Sequence, residues 1–352
     1  MELLIEKIWN GVAEVKVGQA NNPQPRNYIS ASDIGKAYID RYYKMKGFAP
    51  TNPYDERVLR IFDAGKLFEW IVGRSLAMAG VLKERQSYCE IPASNENLKV
   101  LGYIDYLMGG IANWNEARGR IKKWLVEFKL DEDNEILEKY SLKLIDGFEK
   151  EFGDRPIPET ILEVKSINSL AFWGHKNRNE DDQFIGYDHH RLQLLAYMLA
   201  KKLDKGHLLY VSKDDLCLQQ VPVLKGGELE EKFWVDVKQM SEYFSTDTTP
   251  SPLPELVFNK QKNVFELNWE VARSLYLTKI YGYKDKEQFE NKKHQELLDV
   301  NRAFRHLKDG LIKKEDKPII KKFGLEILTG HTIGEVKCQP ETKPKHNNTE
   351  DW

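Results

Sequence analysis

Cysteine is scarce in this sequence: Cys89, Cys217 and Cys338 are the three present among 352 residues. Three distant cysteines exclude a disulfide framework, and they cannot form a four-cysteine zinc or iron–sulfur site within one chain. We therefore expect a reduced, cytoplasmic protein.

Long apolar runs and a large excess of one charge are also missing. No segment approaches the roughly 20 apolar residues that cross a bilayer. The N-terminus has neither a basic region nor a sustained apolar core, so we expect no secretory signal and no membrane partner. The net charge of −2 argues against tight coating of long nucleic acid, but it leaves room for a local positive groove. The absence of a Gly-x-x-x-x-Gly-Lys-Ser/Thr sequence excludes a fused helicase motor.

Alternating strand and helix patterns predict an α/β fold with a central mixed sheet flanked by helices. The predicted helices cover about 55–78, 131–152 and 189–201. The predicted strands cover 86–91, 100–107, 124–130, 160–166, 207–212 and 216–223.

Composition changes divide the chain into four segments. The proline-rich stretch that begins at Thr249 ends the α/β pattern, and a charged helical pattern follows it. The segments are an N-terminal helix and linker (1–27), the α/β core (28–248) with an insertion at about 111–158, an α-helical C-terminal extension (249–334) and a flexible tail (335–352).

Two predicted strands carry ionisable residues where apolar ones are usual. Glu163 and Lys165 are two residues apart, so they point to one face of a strand while Leu162 and Val164 point to the other. Asp105 lies on a second strand. Two acids can hold a hard divalent cation, and a nearby ammonium can stay close to an attacking water or a phosphate. This combination favours metal-dependent phosphodiester hydrolysis.

Further motifs occur in a characteristic order around these strands, over residues 28–223. Together they resemble the PD-(D/E)XK nuclease superfamily, in its RecB-type and λ-exonuclease-like branch. The motifs are Ser30-Ala31-Ser32, Gly65-x-x-x-Glu69, Gly102-Tyr103-Ile104-Asp105, Glu163-Val164-Lys165-Ser166, Gln193-x-x-x-Tyr197 and Leu208-Leu209-Tyr210-Val211-Ser212-Lys213.

The resemblance implies a restriction-endonuclease-like core and a role for each matching residue. Asp105 and Glu163 match the metal-binding acids, and the Val164 carbonyl matches a further ligand. Lys165 matches the lysine that orients or activates water and steadies the developing charge. Glu69 matches a helix position that often adds a metal ligand. Oxygen ligands of this kind favour Mg²⁺ or Mn²⁺ over zinc.

A second group of residues is expected to contact nucleic acid. By resemblance, Gln193 and Tyr197 belong to a motif that contacts the surroundings of the active site and DNA, and Ser30 belongs to the opening motif. From the sequence, His189 shares the helical face of Gln193. The remaining candidates are Lys176 and Arg178, in the loop after the lysine strand.

A second Glu-x-Lys pair competes with the first. Glu127 and Lys129 begin 22 residues after Asp105, whereas Glu163 follows 58 residues after it. Compact members of the superfamily have the shorter spacing. We favour Glu163 and Lys165 because they lead through one loop into the Gln193 helix, and we expect Glu127 and Lys129 on a solvated strand face.

The resemblance implies an Mg²⁺-dependent deoxyribonuclease, with exonuclease action favoured. Iron–sulfur members of the branch use four cysteines, which this chain lacks. One alternative is a catalytically idle or auxiliary subunit that binds nucleic acid or a protein, and another is a structure-specific or RNA-directed endonuclease. Beyond DNA, the expected partners are a helicase, a recombination or defence-system protein, or further copies of the chain.

Overall fold

A computed structural model describes residues 2–128, 134–173, 183–260 and 262–329. The chain forms two compact units, Met1–Ser251 and Pro252–Trp352. Over the described ranges, no helix combines the length and apolar character needed to cross a membrane. The predicted tail, 335–352, lies outside the described residues.

The described part of the first unit contains a six-stranded mixed sheet. Strand β3 pairs in parallel with β1 and antiparallel with β2 and β4, while β5 pairs in parallel with β4 and antiparallel with β6. The strands are β1 (Ile29–Ser30), β2 (Leu82–Ile91), β3 (Val100–Met108), β4 (Thr160–Ile167), β5 (Lys205–Ser212) and β6 (Leu218–Leu224).

One edge of β3 is shared by two strands and leaves a gap between them. Strand β2 pairs with β3 from Val100 to Met108, so it occupies the other edge. On the shared edge, β1 pairs only with Val100 and Leu101, and β4 pairs only with 106–108. Residues 102–105 therefore have no strand partner on this edge among the described residues, and Asp105 lies in the gap.

Helices cover both faces of the sheet. A cluster of buried residues that includes Ala77 of α3 packs against Tyr106 of β3 and Leu162 of β4. The opposite cluster packs α7 residues such as Leu194 and α8 residues such as Phe233 against the sheet. The helices of this unit are α1 (Glu2–Val17), α2 (Tyr38–Met45), α3 (Glu56–Met78), α4 (Trp114–Leu125), α5 (Asn134–Phe152), α6 (Ser169–Phe172), α7 (Asp188–Lys201) and α8 (Gly227–Ser245).

Two glycines of α3 provide a matched test of how closely the helix approaches the sheet. A Cβ at Gly73 would lie 2.5 Å from the Tyr106 hydroxyl and 2.7 Å from the Phe128 ring, whereas one at Gly65 would meet only Ser166 Oγ at 3.6 Å. We expect Gly73→Ala to destabilise the protein by about 1–3 kcal/mol through overpacking. Gly65→Ala should instead stabilise it by up to about 1 kcal/mol through helix propensity. Calorimetric unfolding of both variants checks this, and equal effects would contradict the packing.

The predicted strand at 124–130 is wrong over its described residues, 124–128. Residues Trp114–Leu125 form α4. Asn113 caps the start of this helix, since its side chain accepts the backbone N–H of Glu116. The apolar residues of this segment recur at helical spacing and are buried on one side of the helix, so the helical period prevails over the short apolar run. Lys129 and Leu130 lie outside the described residues. In its described residues the insertion therefore contains two helices, α4 and α5, rather than a strand and a helix.

The second unit is mainly helical, and it adds a hairpin that the sequence analysis does not predict. Strands β7 (Leu256–Asn259) and β8 (Val264–Leu267) pair antiparallel. Phe265 and Phe304 lie in the main core of this unit. The charged helical pattern expected in this part of the chain forms several separate helices in the described residues. The helices are α9 (Trp269–Ala272), α10 (Leu277–Tyr281), α11 (Lys286–Lys308), α12 (Asp316–Phe323) and α13 (Leu325–Thr329).

The predicted fold class is confirmed at the level of architecture. The first unit has a mixed sheet flanked by helices, and the C-terminal part is helical.

Candidate active site

Asp105 is held from both neighbouring strands at the gap in β3. Its Oδ2 accepts the backbone N–H of Val164 in β4 at 3.0 Å, and its Oδ1 accepts the side-chain amide of Gln86 in β2 at 3.2 Å. The side chain is buried, with 7% of the residue exposed. The main-chain pairing of β3 with β4 stops at Tyr106 and Leu162. Beyond that point, the Asp105 carboxylate accepts the Val164 N–H in place of a backbone carbonyl of β3.

Glu163 and Lys165 lie on the face of β4 opposite Leu162 and Val164, as the alternation predicts. Leu162 and Val164 belong to the cluster under α3. On the other face, Lys165 Nζ donates to Glu163 Oε1 at 2.7 Å. Glu163 is 1% exposed, whereas the Lys165 side chain is 20% exposed. Lys165 is therefore the member of this pair that reaches towards solvent.

Helix α7 supports Glu163 from behind. Gln193 Nε2 donates to Glu163 Oε1 and to the Tyr197 hydroxyl, both at 2.8 Å. The Tyr197 ring lies against Gly102, where a Cβ would be 2.5 Å from Tyr197 Cε1. The glycine of the Gly-Tyr-Ile-Asp motif thus makes room for the tyrosine of the Gln-x-x-x-Tyr motif. Gln193 and Tyr197 are both buried, and their predicted contact with nucleic acid stays a prediction.

The carboxylates and the lysine change one another's ionisation. Burial and the neighbouring charge of Asp105 raise the pKa of Glu163 to about 8, although Lys165 acts in the opposite direction. Burial acts to lower the pKa of Lys165, but the charges of Glu163 and Asp105 outweigh it and raise that pKa. Burial and Asp105 also raise the pKa of Glu69 on α3. The site thus places carboxyl groups close together in a buried place, where their ionised forms are disfavoured unless an opposing charge is present.

The donor set fits a hard divalent cation held by two carboxylates. Glu163 Oε2 is buried and has no hydrogen-bond partner among the described residues, which is costly unless something else satisfies that oxygen. In the described ranges, no three His, Cys, Asp or Glu residues are grouped so as to hold a metal. Glu69 ion-pairs with Lys66 at 3.1 Å, and its role as a ligand stays a prediction, as does that of the Val164 carbonyl. Mg²⁺ commonly binds through one or two carboxylates and keeps several waters.

The remaining predicted contact residues are only partly placed. Burial and the charges of Lys36 and Lys165 lower the pKa of His189 to about 4, so this histidine is neutral near pH 7. Ser30 ends β1, with its hydroxyl 3.0 Å from that of Ser32. Lys176 and Arg178 lie outside the described residues.

Two residues of the site are missed by the sequence analysis. The charge of Lys36 acts together with that of Lys165 on the pKa of His189, but Lys36 follows a glycine in an irregular segment where no periodicity indicates its direction. Gln86 contacts Asp105 only because of the β2–β3 register, in which Arg85 is opposite Tyr106 and Ser87 is opposite Ile104. Local sequence does not specify that register.

Glu127, the acid of the competing pair, is not on a strand. Glu127 follows α4 in a turn and forms an ion pair with Arg85 at 3.5 Å. Lys129 lies outside the described residues. Glu127 is exposed, as expected, but the prediction that it lies on a strand is wrong, because it lies in a turn.

Comparison with known proteins adds little to this geometry. No family model matches the sequence, and no curated protein matches it. Among solved structures, the chain is similar to one described as "Crystal structure of SSO0001", with a TM-score of 0.41 and 12% identity, over 77% of this chain and 93% of that chain. A likeness this weak supports no statement about activity.

Proposed function

We propose that the first unit is a metal-dependent deoxyribonuclease with a PD-(D/E)XK core. The observation that carries the proposal is the contact set around Glu163. One oxygen of Glu163 accepts from Lys165 and Gln193, while the other is buried without a partner in the part of the chain that the structure describes. Asp105 lies close enough to raise the pKa of Glu163. These are the residues that the motifs single out, and they come from three different elements.

Asp105 and Glu163 would hold the divalent cation between β3 and β4. When bound, Mg²⁺ or Mn²⁺ acts as a Lewis acid on a phosphoryl oxygen and favours ionisation of a bound water. The protein keeps the two carboxylates in place through the Val164 N–H on Asp105 and the Gln193 amide on Glu163. Such supporting hydrogen bonds orient ligands and preserve their affinity.

Lys165 would act on the phosphate rather than on the cation. Its ammonium is anchored by Glu163 at 2.7 Å, and its side chain remains partly exposed. From this position it can donate to the attacking water or to a non-bridging oxygen whose negative charge grows as the new bond forms. Water adds to phosphorus and the bond to the 3′ oxygen breaks, which leaves a 5′-phosphate and a 3′-hydroxyl, as the resemblance implies.

The substrate and mode of attack are decided by comparing DNA with and without ends. The resemblance favours an exonuclease, so we expect linear end-labelled DNA to be degraded with Mg²⁺ or Mn²⁺ and to survive with EDTA. Covalently closed circular DNA should remain intact. Asp105→Asn serves as the control, and it should lose cleavage of linear DNA because it removes one of the two negative charges at the site.

The other outcomes distinguish the alternatives. Nicking of circles would make the protein an endonuclease, and cleavage of RNA but not DNA would reassign the substrate. No cleavage under any of these conditions would replace this proposal with an auxiliary subunit that binds nucleic acid or a protein. Cleavage by Asp105→Asn at the wild-type rate would place the active site elsewhere.

A further inference from the structure

Gln86 has an unusual backbone for a residue inside a strand. Its φ is 47°, in the left-handed region. The residues on either side pair regularly, with Arg85 opposite Tyr106 and Ser87 opposite Ile104. Non-glycine residues are disfavoured in this region because Cβ approaches the backbone. Such conformations persist only where the surroundings impose them, and they are concentrated at functional sites.

The side chain of this strained residue contacts the site. Gln86 Nε2 donates to Asp105 Oδ1 at 3.2 Å. Strand β2 lies on one edge of β3 and Val164 lies on the other, so the two oxygens of Asp105 are fixed from opposite sides. Each oxygen of a carboxylate has about two lone-pair directions. Both oxygens of Asp105 therefore keep free acceptor capacity while the plane of the carboxylate is fixed.

We infer that Gln86 is a positioning residue for the Asp105 carboxylate, which it orients towards the cation that Asp105 and Glu163 would share. This inference rests on the proposed function. The left-handed backbone at Gln86 destabilises the fold locally, and it accompanies the placement of the side-chain amide where it can donate to Asp105. An amide suits the position because its N–H₂ can donate to an ionised carboxylate, whereas the acidic side chain of Glu would repel it.

Glycine at position 86 separates this role from a purely structural one. Gln86→Gly removes the amide and relieves the backbone, since glycine adopts positive φ freely. Leu216 provides a matched control because it too is a non-glycine residue with positive φ, at 59°, and it is exposed in the turn between β5 and β6. Leu216→Gly relieves the same kind of strain without touching Asp105.

The test is Mn²⁺ affinity, measured by electron paramagnetic resonance on full-length protein without DNA, together with the melting temperature. We expect Gln86→Gly to bind Mn²⁺ about 10-fold more weakly, at the lower end of the effect of losing an outer-shell partner. Its melting temperature should be unchanged or higher. Leu216→Gly should keep the wild-type affinity. In an Asp105→Asn background, Gln86→Gly should have no further effect, because its partner is already lost.

A second variant, compared with Gln86→Gly, guards against a folding artefact. Gln86→Asn tolerates positive φ but has an amide one methylene shorter, so it should also weaken Mn²⁺ binding at an unchanged melting temperature. Wild-type Mn²⁺ affinity in Gln86→Gly would overturn the positioning role of Gln86 but would leave the proposed nuclease function standing. A fall in melting temperature that accompanies the affinity loss in both variants would make the role structural and overturn it too. If the wild-type protein bound no Mn²⁺, the proposed function would fail together with this inference.

Discussion

Replacing Lys165 with methionine should lower the rate of DNA cleavage by about 10²–10³-fold, the usual cost of losing one donor to a developing oxyanion. Methionine keeps much of the aliphatic length but removes the ammonium that lies 2.7 Å from Glu163. Without that competing positive charge, Asp105 and Glu163 should bind Mn²⁺ at least as tightly as before. The expected signature is lost cleavage with retained Mn²⁺ affinity, measured on the same preparations. It is the opposite of the pattern expected for Gln86→Gly, which weakens Mn²⁺ binding itself.

Lys129→Met is the control for this experiment. It removes the lysine of the competing Glu-x-Lys pair, and we expect cleavage at the wild-type rate. Activity that survived Lys165→Met and disappeared in Lys129→Met would move the active site to the other pair. Circular dichroism of each variant checks that the fold is retained.

The second large effect concerns stability. Arg41 of α2 and Asp236 of α8 form a buried ion pair, in which Nη1 donates to Oδ2 at 2.8 Å and Nη2 lies 2.7 Å from Oδ1. Asp236 Oδ2 also accepts the backbone N–H of Gly35 at 3.2 Å. Arg41→Met leaves the Asp236 carboxylate buried without its cation. We expect the free energy of unfolding of the first unit to fall by about 3–5 kcal/mol, the range for breaking a buried pair.

Calorimetry resolves this effect because it can follow the unfolding transition of each unit. The combined variant Arg41→Met with Asp236→Leu should recover part of the loss, since it leaves no unpaired charge. Lys238→Met is the control on the same helix. Lys238 pairs with Glu96 at 2.9 Å, but both side chains are more than 60% exposed, so the change should be small. Equal losses for Arg41→Met and Lys238→Met would contradict the account of the buried pair.

The sequence specifies the strand positions of the site well, because alternation is a local property. The placement of Glu163 and Lys165 on one face of β4 follows from the period of two, and the buried neighbours Leu162 and Val164 agree with it. The helical spacing of Gln193 and Tyr197 likewise brings both side chains to one face of α7, where Gln193 reaches Glu163.

The parts that sequence analysis misses depend on pairing between distant segments. The contact of Gln86 with Asp105 requires the β2–β3 register and a positive φ, and neither is encoded by local periodicity. The predicted strand at 124–130 differs from the structure over 124–128 for another reason, since a short apolar run does not distinguish a strand from the end of a helix. In α8, which the predicted elements do not include, buried Leu229, Phe233 and Val237 recur at four-residue spacing, and this spacing is a local signal for a helix.

The central claim is that Glu163 belongs to a metal-dependent nuclease centre. The most direct test is the initial rate of cleavage of end-labelled linear DNA at saturating Mn²⁺, for the wild type, Glu163→Gln and Glu127→Gln. We expect the wild type and Glu127→Gln to cleave at equal rates and Glu163→Gln to show no cleavage above the EDTA control. Equal cleavage by Glu163→Gln and the wild type, or loss of cleavage in Glu127→Gln alone, would contradict the claim.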